Sequence, residues 1–166
     1  MKTQPVLFFV LCLLLLVGGC VQKPKRAKTY HEQVLRTIQA VIDSSLDFGD
    51  AVQSYNKTKA VQGFEQYANL VNQSITKVKS AGAFDDDTTL QHGALDMLLF
   101  YQTTLETGFK PLVQSIQSDE FTPEQKATAD SLYTQLTMNE SRYWQRFSRD
   151  EKRFDQKFEL DSSSEK

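Results

Sequence analysis

The side chains able to do chemistry are few, and their spacing is poor for it. His31 and His92 are the two histidines. Helical metal sites pair an inward glutamate with a histidine three residues on. Neither histidine stands in such a pair, and Glu32 is adjacent to His31 and so points elsewhere. His92, beside Gln91 and near Asp96, reads as an exposed or helix-bridging side chain. The run Asp85-Asp86-Asp87 lacks the alternating oxygens and glycine of a calcium loop. With Thr88 and Gln91 it reads instead as the acidic entry and capping box of a helix. Serines are plentiful, but none stands in a nucleophile-elbow context. There is no haem-attachment motif and no nucleotide loop. The expectation is a non-enzymatic protein with no metal and no cofactor. The cluster Tyr143, Trp144 and Phe147 has the chemistry to stack on a ligand, although core packing is the simpler reading. Trp144 points partly off the apolar stripe, so it joins Phe154 and Phe158 as a candidate binding residue.

Cys20 is the remaining reactive group. Lys2 precedes an apolar run from Val6 to Val17 of about 12 residues, short of the roughly 20 that a spanning helix needs. The run ends in Val17-Gly18-Gly19-Cys20, which resembles a bacterial lipobox. That resemblance implies cleavage before Cys20, a diacylglycerol on its thiol and an acylated new N-terminus. Two or three chains hold a protein firmly on a bilayer where one does not. Val21 stands where an aspartate often marks inner-membrane retention, so the resemblance favours the outer membrane. The other cysteine, Cys12, would leave with the signal, so the exported domain would carry no disulfide. Residues 1–19 are therefore expected to be a lipoprotein signal peptide. Residues 20–29 should be the lipidated cysteine and a basic, unstructured tether, and residues 161–166 a flexible tail. Lys23, Lys25, Arg26 and Lys28 could each gain about 1 kcal/mol against anionic headgroups, or form a solvated spacer.

Residues 30–160 make one domain of ordinary size, large enough for a core without disulfides. A net charge of −2 gives no nucleic-acid signal. Four amphipathic helices can be read. In the first, Val34, Ile38, Val41, Ser45, Phe48, Val52 and Tyr55 recur at steps of four and three, one stripe on one face. Leu35, Ile42 and Leu46 widen it, and Asn56 is a candidate left-handed stop. The second carries Ala60, Phe64, Tyr67, Val71, Ile75 and Val78 and stops at Gly82. The third carries Leu90 through Ile116, with a kink or break expected between Thr107 and Pro111. Thr122, Pro123 and Gln125 open the fourth and longest helix with a capping box. Its stripe includes Leu136, Tyr143, Phe147, Phe154 and Phe158, interrupted near Asn139 or Glu140 and at Asp150. No segment has the period-two pattern of a strand. The fold class predicted is all-α, an up-down-up-down four-helix bundle with a kinked third helix and a long fourth one. The far end of that fourth helix, at Phe154 and Phe158, needs cover. The start of the first helix should supply it, or a partner should.

The run Ala83-Phe84-Asp85-Asp86-Asp87-Thr88, then Leu90, Ala94-Leu95 and Phe100-Tyr101, resembles the central segment of a family of uncharacterised bacterial surface lipoproteins. Tyr30 soon after the cysteine, and a final helix with Phe154 and Phe158, fit the same pattern. Gly108-Phe109-Lys110-Pro111 departs from it. The resemblance implies location and fold but no activity. The expected role is a lipid-anchored envelope protein that engages another envelope protein, a surface polymer or a host molecule. The alternative is a binder of small apolar ligands with a cavity between the helices, lined by Phe109, Leu112 and aromatic residues of the fourth helix.

Overall fold

The computed structural model describes residues 4–160, with side chains from residue 23 onward. The thiol of Cys20 and the expected tail at 161–166 lie outside the described residues. Among the described residues, five α-helices and one π-turn make four rods. They are α1 (Gln4–Gln53), α2 (Lys57–Ala81), the third rod of α3 (Thr89–Thr104), a π-turn (Leu105–Phe109) and α4 (Lys110–Ser115), and α5 (Pro123–Phe158). Among the described residues there is no strand, only two isolated bridges, and no helix is long and apolar enough to cross a membrane.

The rods pack in a ring, α1 on α2, α2 on α3, α3 on α5 and α5 back on α1. Their ends show that neighbours run antiparallel. The first packed turns of α1, around Tyr30, meet the end of α2, where the Tyr30 hydroxyl donates to the Gly82 carbonyl at 2.7 Å. At the opposite pole, the end of α1 meets the start of α5. There the amide of Phe121 donates to the Tyr55 carbonyl at 3.4 Å, and the two rings pack edge-on at 6.0 Å. This is the expected four-helix bundle.

The stripes explain the core. Val34, Ile38, Val41, Ser45, Phe48 and Val52 are all buried, as are Ala60, Tyr67, Val71, Ile75 and Val78. From the third rod, Leu90, Ala94, Met97, Leu98, Tyr101, Leu105, Phe109, Leu112, Val113 and Ile116 turn inward together. Each large apolar side chain taken from water contributes about 1.5–3 kcal/mol. Leu46, which was to widen the first stripe, is instead 56% exposed.

Helix ends show which local signals prevail. Thr122 accepts from the Gln125 amide, Gln125 answers the Thr122 amide, and Pro123 follows, as the sequence indicates. Gly82 ends α2 with φ of 68°. Asn56 does not stop α1 in the left-handed region. Tyr55 takes that conformation, with φ of 50°, and Asn56 is the N-cap of α2, accepting from the Lys59 amide. Thr88 makes no side-chain cap. Asp87 one residue earlier accepts from the Thr89 amide at 2.8 Å, and Gln91 donates to the Val78 carbonyl of α2. The Asp87 carboxylate thus takes the first orphan amide of the helix, a strong charge-assisted bond.

Two prolines bear on helix continuity, one as expected and one not. The break near Pro111 is a widened turn. The Lys110 amide reaches the Leu105 carbonyl five residues back. That extra width makes room for a ring that would crowd an ordinary turn. Pro24 does not keep the stretch 21–29 unstructured, because α1 runs through it. Ala27 is fully buried, Lys23 pairs with Asp85 at 2.9 Å, and the Arg26 guanidinium lies 5.8 Å from the Phe84 ring. Packing against the loop overrides the weak local propensity of the segment.

Candidate functional site

The end of the bundle where α1 begins to pack holds the densest set of functional groups. The loop from Gly82 to Thr88 turns there through Asp85 and Asp86, both left-handed with φ of 48° and 62°. Phe84 and Asp87 exchange backbone hydrogen bonds across this turn. Two consecutive positive φ values are the geometry of a tight mirror-image turn, which aspartate tolerates better than most residues. The turn drives Phe84 inward, edge-on to Phe158 at 5.0 Å and Phe154 at 5.9 Å, while Tyr30 lies 5.5 Å from Phe84. Asp87, buried, accepts from Lys157 at 2.6 Å. Phe154 and Phe158 are therefore buried in an aromatic seal, closed by Tyr30 of α1 and the acidic loop, and they offer no exposed patch.

One turn from that seal, three side chains converge. His31 of α1 faces Glu151 and Asp155, which stand four apart on one face of α5. The His31 Nε2 lies 2.9 Å from Glu151 Oε1 and 3.7 Å from Asp155 Oδ1. One ligand atom from each of the three lies within 4.8 Å of the others. All three side chains are half-buried, and the imidazole stacks on Phe154 at 6.4 Å. Asp155 Oδ1 is buried and makes no hydrogen bond. The hydrogen bond to Glu151 raises the His31 pKa against the opposing effect of burial, and the charges of Asp155, Glu151 and Glu32 add to the rise. Burial pushes the Asp155 carboxyl up, Glu151 adds to that, and His31 pulls the other way. An imidazole and two carboxylates in this arrangement can hold a proton between them or present three ligand atoms to a cation.

A second locus lies halfway along the bundle. Tyr101 donates to Glu140 Oε1, which also accepts from Ser45 at 3.4 Å. The Tyr67 hydroxyl nearby is buried without a partner. Burial first, and Glu140 second, raise both tyrosine pKa values far above the ordinary range. Of the two positions, Asn139 and Glu140, where the α5 stripe reads as interrupted, Glu140 is the one that turns to this locus. On its outer side it joins Gln39, Ile42, Met97, Thr137, Ser141 and Trp144 in lining an open groove of about 320 Å³. Trp144 is 36% exposed at that groove and touches Phe147 at 5.6 Å. Of its neighbours, Phe147 is fully buried, while Tyr143 is half-buried and stacks on the half-buried Phe100 at 4.5 Å.

Of the candidate binding residues, Trp144 alone is presented to solvent. The cavity expected around Phe109 and Leu112 is not this groove, and the Phe109 ring packs edge-on against Phe48 at 4.8 Å. His92 is exposed. The triad of His31, Glu151 and Asp155 escapes any reading of local spacing, because its contacts span 120 residues. The one local trace of it is the pair Glu151 and Asp155 beside the buried Phe154. Comparison of the chain with family models, curated proteins and solved structures gave no match.

Proposed function

We propose that this chain is a lipid-anchored bacterial envelope protein, held through Cys20, whose helical bundle is a non-enzymatic binding or structural module. The observation that carries the reading is the apolar run ending in Val17-Gly18-Gly19-Cys20, placed ahead of a helical bundle. The lipobox resemblance implies the diacylglycerol, and Val21 favours the outer membrane over the inner one. The segment resembling surface lipoproteins, Ala83 to Thr88, supports the same address. The surface that would engage another envelope component is the groove that Trp144 lines together with Ile42 and Met97. Partly exposed tryptophans are enriched where proteins meet.

Labelled palmitate should enter the wild-type protein and not Cys20→Ala. Equal labelling of the two would sink the anchor. In-cell cross-linking should then capture an envelope partner from wild type and lose it in Trp144→Ala. Capture that is indifferent to Trp144 would move the interface elsewhere on the bundle. A second reading, a binder of small apolar ligands, draws on the same groove, whose volume falls at the low end of small-molecule sites. Under that reading a ligand raises thermal stability without any protein partner.

A further inference from the structure

We infer that His31, Glu151 and Asp155 form a binding site for a divalent first-row transition ion, with Zn²⁺ the ion that fits the donor set best. The geometry is the first support. Around an ion bound at about 2.0–2.2 Å, neighbouring ligand atoms stand about 3.0–3.5 Å apart. The imidazole nitrogen is already 2.9 Å from one carboxylate oxygen and 3.7 Å from the other. Side-chain adjustments of well under a turn of helix would complete the arrangement.

The second support is the state of Asp155. Its Oδ1 is buried with no hydrogen-bond partner, although His31 and Glu151 satisfy each other beside it. A buried carboxylate oxygen left unpaired is costly. A cation between the three groups removes that cost and offsets the repulsion between the two carboxylates. An imidazole nitrogen with two carboxylate oxygens suits zinc, and imidazole disfavours the hard ions calcium and magnesium. Three protein ligands leave a fourth position for water or an outside ligand.

The third support is rigidity. Glu151 and Asp155 ride one face of α5, and His31 is held by its stack on Phe154 beside the aromatic seal. Binding requires a free lone pair on Nε2, so the proton shared with Glu151 leaves to solvent or resides on Nδ1. The site does not depend on the lipid anchor or on the Trp144 groove.

The test uses the full-length, untagged protein in detergent, dialysed against Zn²⁺, with bound metal counted by mass spectrometry and melting followed by circular dichroism. The expected result is about one Zn²⁺ per chain, a raised Tm, and affinity weakened about tenfold or more in both His31→Gln and Asp155→Asn. Co²⁺ in place of Zn²⁺ should give a visible absorption band in wild type that both variants lose. Glu151→Gln serves if either variant loses its helical signal. Wild type that retains no Zn²⁺, or variants that retain as much as wild type, would overturn the inference. So would binding of Ca²⁺ in preference to Zn²⁺.

Discussion

The Tyr30 hydroxyl donates to the Gly82 carbonyl at 2.7 Å, tying the first packed turns of α1 to the residue that stops α2. Gly82 sits at φ 68° and ψ −168°, a region open essentially to glycine alone. Tyr30→Phe keeps the ring in the seal and removes the bond. It should lower the unfolding free energy by about 1 kcal/mol in urea. Gly82→Ala should cost about 1–3 kcal/mol. Unchanged urea midpoints for both would mean that this corner is not held by the bond or the turn.

The same end carries a charge-dependent contact. Burial would raise the Asp87 carboxyl, but the Lys157 ammonium and the hydrogen bonds from Thr89 outweigh it. The pKa lies below its ordinary 3.8. A depressed folded pKa stabilises the fold above the unfolded value, and that gain is lost as pH falls through the folded one. Asp87→Asn should therefore cost about 1–3 kcal/mol near neutral pH and little in strong acid. Urea midpoints of wild type and variant at the two pH values test this. A gap that persists in acid would assign the effect to shape and not to charge.

Halfway along the bundle, Tyr101 and Glu140 should prove coupled. Tyr101→Phe leaves a partly buried carboxylate short of its best donor, which costs about 1.5–3 kcal/mol. Glu140→Gln keeps an acceptor and should cost less. In the double variant the losses should fall short of additive by about 0.5–3 kcal/mol. Strict additivity in a urea double-mutant cycle would show that the two groups act separately.

Where α1 and α2 pack, a Cβ placed on Gly63 would come 2.9 Å from the Cβ of Ala51. Helix propensity alone favours Gly63→Ala by about 1 kcal/mol. The contact opposes it, because neither methyl can swing aside. The variant should be destabilised by about 1–3 kcal/mol, with its helical signal intact. A more stable Gly63→Ala would show that the two rods separate freely.

The stripes, the Thr122 cap and the Gly82 stop were legible in the sequence because their causes are local. Spacing of three and four fixes which side chains share a face, and a cap needs only its neighbours. Where the sequence misleads, a distant group decides. Pro24 and its basic neighbours read as unstructured, yet Asp85 and Phe84 hold them in the helix. Phe154 and Phe158 read as an end that the first helix or a partner must cover; Tyr30 of α1 gives part of that cover, and a loop whose turn depends on two left-handed aspartates supplies the rest. His31 looked isolated because its acidic neighbours lie on α5, more than a hundred positions away. A polar residue in an apolar stripe, such as Glu140, was visible. Its partners Tyr101 and Ser45, on two other rods, were not.

The aromatic seal also sets an order of assembly. Tyr30 and Phe84 emerge early in synthesis, while Phe154 and Phe158 emerge at the end of the last helix. The first three rods can collapse on one another through contacts between sequence neighbours, but closing the seal joins residues from both ends of the domain, which delays it. Until then a growing chain shows the Tyr30 and Phe84 rings without their partners on α5, and a half-filled trough between α1 and α3. A chain stopped before Pro123 would keep that trough open to solvent, sticky and prone to pairing with its own kind.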